Sequence, residues 1–146
     1  MREVRFPDGT TVRAAALAER EVNAAWREHG LYLDARWSPT WPAELVDWPD
    51  LGTPVDDRAA TGAVVRAFDR ARAGVHVEVG CLGGRGRTGT VLACMAVLAG
   101  IPVDAAVGWV RQHHLAGAVE TSAQEAWVRG FALRVSDHAE RPRVDQ

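Results

Sequence analysis

The chain has 146 residues, 47% of them hydrophobic and 25% charged, with a formal net charge of −2. This size and composition predict a single globular domain over residues 1–146. The nearly neutral charge gives no reason to expect a nucleic-acid or membrane partner. The sequence contains no lysine, so the 17 side chains of the Lys and Arg count are all arginines. Chemistry that needs a lysine, such as Schiff-base formation or a P-loop NTPase, is therefore excluded.

The two cysteines, Cys81 and Cys94, are too few for a disulfide framework, and neither belongs to a CxxC pair. The longest apolar run, residues 91–98, is far shorter than the ~20 residues that span a bilayer. The first residues contain no apolar signal segment. These features predict a reduced, cytoplasmic protein.

The first half of the chain predicts short strands and one helix. Residues 3–6 and 10–13 flank a Pro-Asp-Gly turn and are expected to form a hairpin. Residues 14–29 have a helical composition and end at Gly30, a typical helix stop. Two further strands are expected over residues 31–33 and 44–48.

The second half predicts helices around one more strand. Asp56 or Asp57 is expected to cap a helix that runs to Arg72, and residues 75–79 form a strand that leads into a glycine-rich segment. Strands alternating with helices predict an α/β fold with a central, mostly parallel sheet of about four to five strands flanked by helices. The polar tail from Asp137 is expected to be frayed. The remaining helices are expected over residues 90–99, 102–113 and 121–135.

The glycine-rich segment, residues 80–89, has the sequence GCLGGRGRTG. Its second part matches GxGxxG, but that dinucleotide motif belongs to the first strand–helix turn of a fold, and this segment lies past the middle of the chain. A Walker loop is excluded because Arg87 occupies the position of its lysine. What remains is a cysteine at the end of a strand and, after five residues, an arginine at the start of a helix.

This arrangement suits a phosphate group. Glycines let successive backbone N–H groups point at one anion, and the following helix adds the positive end of its dipole. Arg87 can donate two parallel hydrogen bonds to phosphate, and a thiol in such a field ionises readily to a nucleophilic thiolate. The alternative is a glycine-rich turn around a buried structural cysteine.

The segment resembles the Cys-x5-Arg-Ser/Thr signature of the cysteine-dependent protein tyrosine phosphatase superfamily, which Cys81, Arg87 and Thr88 fill. The resemblance implies that Cys81 forms a phosphocysteine intermediate and that Arg87 binds the phosphoryl oxygens. It also implies that the Thr88 hydroxyl stabilises the departing thiolate, and that neither a metal nor a cofactor is needed. The phosphate-binding residues that it implies are Leu82, Gly83, Gly84, Arg85, Gly86 and Arg87.

Residues 48–54, WPDLGTP, match the WPDxGxP loop of the same superfamily. By this resemblance Asp50 is the general acid that protonates the leaving alcohol. Asp47, three residues earlier on the same loop, is the reserve candidate. Pro-Asp-x-Gly is also ordinary turn chemistry, so the segment taken alone is better read as a surface turn. Its position upstream of Cys81, in the order found in the superfamily, favours the catalytic interpretation.

Residues 120–124, ETSAQ, are similar to the superfamily's glutamine loop, usually Gln-Thr-x-x-Gln, whose final glutamine holds the water that hydrolyses the intermediate. Gln124 matches that glutamine, whereas Glu120 replaces the first one. Thr121 and Gln124 also form a capping box for a helix start. The catalytic and the capping roles are compatible.

Most of the superfamily has a histidine immediately before the nucleophile, where this chain has Gly80. This departure motivates a rival hypothesis, a pseudo-phosphatase that binds phosphorylated partners without hydrolysing them. The small size and the lack of a tyrosine-recognition loop place the chain nearer to the small dual-specificity and atypical phosphatases. The expected substrate is a phosphorylated protein or, alternatively, a small metabolite such as a nucleoside, sugar or inositol phosphate.

The roles of Arg85, Cys94 and the tryptophans have alternative interpretations. Arg85 meets a second phosphate of the substrate or, alternatively, is solvated or pairs with an acidic neighbour such as Glu120. Cys94 lies on the apolar helix after the glycine segment and is expected in the core, with a role as disulfide partner of an oxidised Cys81 as the alternative. The tryptophans are expected to pack in the interior, with Trp37 and Trp41 as alternative candidates for the rim of the pocket.

Overall fold

The structure, a computed structural model, describes residues 2–140, with side chains from residue 3 to residue 138. The strands are β1 Arg2–Arg5, β2 Thr11–Ala16, β3 His29–Tyr32, β4 Ala43–Leu45 and β5 Val77–Cys81. The helices are α1 Asp57–Arg72, α2 Gly86–Leu98, α3 Ala106–His113 and α4 Ser122–Glu140. None of the helices within residues 2–140 combines the length and the apolar character that crossing a membrane requires.

The five strands form one sheet in the order β1-β2-β5-β3-β4. β1 is antiparallel to β2, and the other three pairings are parallel. The predicted α/β fold with a mostly parallel sheet is therefore confirmed.

The predicted hairpin is confirmed, but the predicted helix over residues 14–29 is wrong. β2 continues to Ala16 because it pairs in parallel with the end of β5. After it come one 3-10 turn, Leu17–Glu19, and a series of irregular turns. Asn23, in these turns, is fully buried because its side-chain amide donates to the carboxylate of Glu78 at 2.8 Å. Long-range contacts of this kind override helix propensity.

The second half follows the sequence expectations closely. Asp56 caps α1, its carboxylate accepting from a backbone N–H of the first turn at 3.0 Å, and Gly74 follows that helix with φ +94°. α2 begins at Gly86 rather than at residue 90. α4 continues through the start of the tail expected to be frayed and ends at Glu140. Residues 141–146 of that tail lie outside the described residues.

The two faces of the sheet are covered differently. On one, which we call the helical face, α1 and α2 pack on an apolar layer that includes Val12, Leu31, Val77 and Val79. On the other, the aromatic face, the covering chain is irregular and comes from residues 17–28 and 34–42. The apolar side chains buried on the aromatic face are Ala15, Tyr32 and Trp37.

The carboxyl edge of the sheet collects the segments that carry the candidate residues. Cys81 is the last residue of β5, and α2 starts five residues later at Gly86. β3 and β4 run parallel to β5, so the segments that follow them reach the same edge. In open α/β sheets, ligands bind at this edge.

Candidate active site

The glycine loop, residues 81–87, curls around the side chain of Cys81. Its Sγ atom accepts a hydrogen bond from the Gly84 N–H at 3.2 Å, and the cysteine is 2% exposed. Gly84 has φ +67°, and a Cβ there would lie 3.1 Å from a backbone nitrogen of β2, so the turn requires glycine. The Leu82 carbonyl accepts from the Leu17 N–H at 3.0 Å. The loop thus brings the Gly84 N–H to the thiol, close to where α2 begins at Gly86.

Arg87, in the first turn of α2, has a buried guanidinium. Its Nη1 donates to the carbonyls of Leu33 and Trp48, at 2.8 and 2.9 Å, and its Nη2 donates to the Asp34 carboxylate at 3.0 Å. Among the described residues, Arg87 Nε and the buried hydroxyl of Thr88 have no hydrogen-bond partner. Buried donors without an acceptor are costly, so this turn is suited to receiving one from a ligand.

Asp34, which the sequence analysis did not single out, fixes Arg87. It follows β3 and is buried, and Arg36 donates to both of its carboxylate oxygens at 2.8 and 2.6 Å. The hydrogen bonds from Arg36, followed by those from Arg87, hold the pKa of Asp34 well below its usual range, against the opposing effect of burial. A carboxylate directly after a strand that is parallel to β5 is a sequence signal that could have identified it.

The loop of residues 48–54 is fixed at its base and exposed at its tip. Trp48 is buried against the ring of Trp127, and its Nε1 donates to the Gly52 carbonyl at 2.7 Å. The tip carries Leu51 in the left-handed region, at φ +62°, and the Asp50 side chain, which is 59% exposed. The Asp50 carboxylate lies 3.6 Å from Nη2 of the buried arginine of the glycine loop.

A cavity of about 450 Å³ opens beside Arg87. Its charged lining residues are Asp34, Arg36, Asp47, Asp50 and Arg87. Both candidate acids therefore line the same space. Of these two acids, Asp50 lies within ion-pair distance of Arg87, which also pairs with Asp34, whereas no such pair joins the reserve candidate Asp47 to Arg87 among the described residues.

Gln124 is fully buried and makes the predicted capping box. Its Oε1 accepts from the N–H groups of Glu120 and Thr121 at 2.8 and 3.3 Å, and the Thr121 hydroxyl accepts from the Gln124 N–H at 3.2 Å. Its Nε2 donates to the Gly52 carbonyl at 3.2 Å. Gln124 therefore joins the start of α4 to the loop that carries Asp50.

The pairing of Arg85 with Glu120 is wrong. Arg85 is exposed, and its stem lies beside Gly117, where a Cβ would come within 3.3 Å of Arg85 Cδ. No ion pair joins Arg85 to Glu120 in the part of the chain that the structure describes. The Glu120 carboxylate lies instead against Gly86, where an added Cβ would collide with Oε1. Contact between Arg85 and a second phosphate stays a prediction.

The core expectations for Cys94 and Trp37 are confirmed. Cys94 is fully buried in α2, and burial raises the pKa of its thiol. Trp37 is 1% exposed on the aromatic face, where its Nε1 donates to the Cys81 carbonyl at 3.3 Å, so it does not form a surface rim. Trp41 is partly exposed and stacks on the guanidinium of Arg27, 3.6 Å from the ring centroid.

The family described as "PTP-SAK: Swiss Army Knife protein, DSP-PTPase phosphatase domain" matches residues 50–144, more than half of the chain. The chain belongs to this family. The match includes Asp50, the glycine loop and Gln124. The resemblance to small dual-specificity phosphatases is therefore confirmed at the level of the family.

The chain is also similar to individual proteins and solved structures. "Uncharacterized protein MJECL20" of Methanocaldococcus jannaschii is 35% identical over 111 residues, which cover 68% of this chain and 72% of that protein. The crystal structure of Tk-PTP in its active form is 23% identical, covers 90% of this chain and 97% of its own, and has a TM-score of 0.74. PTPMT1 in complex with PI(5)P is 13% identical over 95% of this chain and 99% of its own, with a TM-score of 0.69. These two structures share the fold.

Proposed function

We propose that this PTP-SAK protein hydrolyses phosphate monoesters through a phosphocysteine intermediate on Cys81. The observation that carries the proposal is the buried Cys81 thiol in the glycine loop, whose Sγ accepts from the Gly84 N–H at 3.2 Å, five residues before α2 begins at Gly86. The thiolate is the nucleophilic form of cysteine. A thiolate inside a phosphate cradle attacks phosphorus.

In the first step, Cys81 Sγ forms a bond to phosphorus while the bond from phosphorus to the leaving oxygen breaks. Asp50 transfers its proton to that oxygen, a role supported by its exposed carboxylate, which lies 3.6 Å from Arg87 Nη2. Arg87 and the loop N–H groups stabilise the charge on the phosphoryl oxygens. The Arg87 Nε, which has no partner among the described residues, supplies one of these donors.

In the second step, a water held by Gln124 attacks phosphorus, the bond to Cys81 Sγ breaks, and Asp50 takes the proton of the water. The Thr88 hydroxyl donates to the departing thiolate, a role that suits a buried hydroxyl without a partner among the described residues. The Gln124 amide also binds the Gly52 carbonyl. This contact couples the residue that holds the water to the loop that carries the acid.

A phosphorylated protein is the proposed substrate class, as in dual-specificity phosphatases. The family description and the small size support it. A small phosphorylated metabolite is the second candidate, favoured by the fold shared with PTPMT1, which was crystallised with PI(5)P. In either case the cavity of about 450 Å³ beside Arg87 is where the leaving group is expected to lie.

The chemistry is tested with aryl phosphates in EDTA. Wild-type protein should hydrolyse para-nitrophenyl phosphate and be inhibited by vanadate, whereas Cys81→Ser should have no activity. Asp50→Asn should lower kcat about 100-fold for phenyl phosphate and less for para-nitrophenyl phosphate, whose leaving group needs little protonation. Full activity of Cys81→Ser would contradict the proposal, and a larger loss in Asp47→Asn would reassign the acid.

The substrate class is tested by a competition screen of phosphotyrosine and phosphoserine peptides against nucleotides, sugar phosphates and phosphoinositides. Release of phosphate from the peptides supports a protein phosphatase. Release from metabolites alone removes that label. Stoichiometric peptide binding without phosphate release by wild-type protein supports the pseudo-phosphatase that Gly80 suggests.

A further inference from the structure

Two aromatic rings lie parallel to each other on the aromatic face, next to the end of β5. The rings of Tyr32 and Trp37 are stacked with centroids 4.2 Å apart and planes inclined by 11°. Both side chains are fully buried. They form a rigid pair directly behind the strand that ends in Cys81.

Glycines in two adjacent strands make room for these rings. A Cβ at Gly30, in β3, would collide with the ring of Tyr32. A Cβ at Gly80, in β5, would lie 2.6 Å from a ring carbon of Trp37. Because real side chains do not approach so closely, any larger residue at position 80 would displace Trp37. The glycine at the position where most of the superfamily has histidine is therefore required by this tryptophan.

The side chain of Trp37 makes its hydrogen bond with the backbone of the nucleophilic residue. Its Nε1 donates to the carbonyl oxygen of Cys81 at 3.3 Å. That carbonyl belongs to the peptide that joins Cys81 to Leu82, the first peptide of the glycine loop. The next carbonyl, that of Leu82, is held by the Leu17 N–H at 3.0 Å. The backbone at the base of the loop is thus fixed from outside the phosphate cradle.

The other end of the aromatic pair is also fixed. The Tyr32 hydroxyl donates to the buried carboxylate of Glu78 at 2.7 Å and accepts from Trp41 Nε1 at 2.8 Å. A ring held on one edge by buried hydrogen bonds has little freedom to slide. Trp37 can therefore hold its orientation against the Cys81 peptide.

We propose that Trp37 is a positioning residue for the nucleophile. Its ring packs against Gly80, and its indole N–H fixes the Cys81–Leu82 peptide. Through this peptide, Trp37 fixes the direction of Sγ and of the loop N–H groups that meet phosphate. The Trp37–Gly80 pair replaces the histidine that precedes the nucleophile in most of the superfamily. The inference rests on the proposed function, since it assigns a role within that site.

The experiment compares Trp37→Phe with Trp26→Phe as a matched control. Trp26 lies on the same face, but its ring stacks on His76, at the opposite end of β5 from Cys81. Loss of a hydrogen bond to a buried carbonyl predicts that Trp37→Phe lowers kcat about tenfold with KM within about twofold. Trp26→Phe should leave both constants within about twofold of wild type.

A second variant separates the hydrogen bond from the packing. Incorporation of 3-benzothienylalanine at position 37 keeps the shape of the bicyclic ring and removes only the N–H donor. It should reproduce the loss of kcat with the thermal midpoint of wild type. If this variant is as active as wild type, the indole N–H has no positioning role and the inference is overturned.

Alkylation separates failure of the inference from failure of the proposed function. The rate at which iodoacetamide alkylates Cys81 needs no turnover, and Cys94 is fully buried, so Cys81→Ser gives the background. We expect a several-fold rate change for both position-37 variants and none for Trp26→Phe. If the alkylation rates differ in this way while the wild-type protein releases no phosphate, the inference stands and the proposed function fails. Equal rates in all four proteins, with equal kcat, overturn the inference.

Discussion

On the helical face, Val77 and Val79 of β5 point into an apolar core shared with α1 and α2, whereas Glu78 between them points into polar contacts on the aromatic face. The Glu78 carboxylate is fully buried and accepts from Asn23, Tyr32 and Arg27 at 2.8, 2.7 and 3.3 Å. The Arg27 side chain is only 5% exposed. One strand is therefore held by apolar packing on one side and by a hydrogen-bonded ion pair on the other.

The difference determines how each face responds to change. Apolar packing is non-directional, so a core of about the right volume tolerates substitution at a graded cost. A buried polar network requires every partner, because removal of one leaves the others desolvated and unpaired. The aromatic face contacts the Cys81 carbonyl through Trp37. Substitutions on this face should therefore destabilise the protein more than substitutions on the helical face.

The largest expected effect on stability comes from substitution of Glu78, which is compared with substitution of its neighbour Val79 in β5. Glu78→Ala should lower the free energy of unfolding by roughly 3–5 kcal/mol, because it leaves the buried Arg27 guanidinium without its carboxylate. Val79→Ala removes two methyl groups from the helical face and should cost about 2 kcal/mol. Urea denaturation of the two variants measures both values.

The double variant Glu78→Ala with Arg27→Ala serves as the control. If the unpaired charge causes the loss, removal of Arg27 as well should recover part of it, which a double-mutant cycle detects as a coupling energy. A cost for Glu78→Ala no greater than that for Val79→Ala would show that the two faces respond alike, and the comparison would fail.

A smaller effect is expected at Asp34, whose carboxylate Arg36 and Arg87 bind. Asp34→Asn should lower stability at pH 7 by roughly 1–3 kcal/mol, because the hydrogen bonds to a charged group weaken. The pKa of Asp34 is lowered in the folded protein, first by the hydrogen bonds from Arg36. The stabilisation is therefore complete above the unfolded pKa of about 3.9 and is lost as the pH falls below it, through the folded pKa.

The measurement is the difference in unfolding free energy between wild type and Asp34→Asn at pH 7, 5, 4 and 3. The difference should be constant from pH 7 to 5 and should shrink at pH 3. Asp47→Asn is the matched control, since Asp47 is an exposed carboxylate lining the same cavity. It should change stability by less than about 0.5 kcal/mol. A difference for Asp34→Asn that grows on acidification would contradict the assigned ion pairs.

The sequence predicts the helical face well and the aromatic face poorly, for a physical reason. Helices such as α1 can be predicted from local signals, here an Asp56 cap and a terminal Gly74, that act within a few residues. The irregular chain over residues 17–28 is determined instead by contacts such as that between Asn23 and Glu78, 55 residues apart. No local pattern carries that information.

The candidate site divides in the same way. The motifs that contain Cys81, Arg87 and Asp50 can be recognised from the sequence, because each is a short segment with the residue spacing of the superfamily that it resembles. Asp34 and Trp37 belong to no such motif, and they reach the glycine loop only because β3 lies beside β5. The significance of Gly80 likewise depends on a ring 43 residues away in the chain, from position 37 to position 80.

The smallest expected effect on stability tests whether local backbone conformation determines the stability of the helices. Gly108 lies exposed in α3, and a Cβ there would meet nothing within 4 Å. Gly108→Ala should therefore raise the free energy of unfolding by about 0.5–1 kcal/mol, because alanine loses less backbone entropy in a helix. Gly74→Ala, also in open space but at φ +94°, should lower it by about 1 kcal/mol. Thermal unfolding distinguishes the two signs, and equal effects would mean that neighbouring contacts, not local conformation, determine stability in this layer.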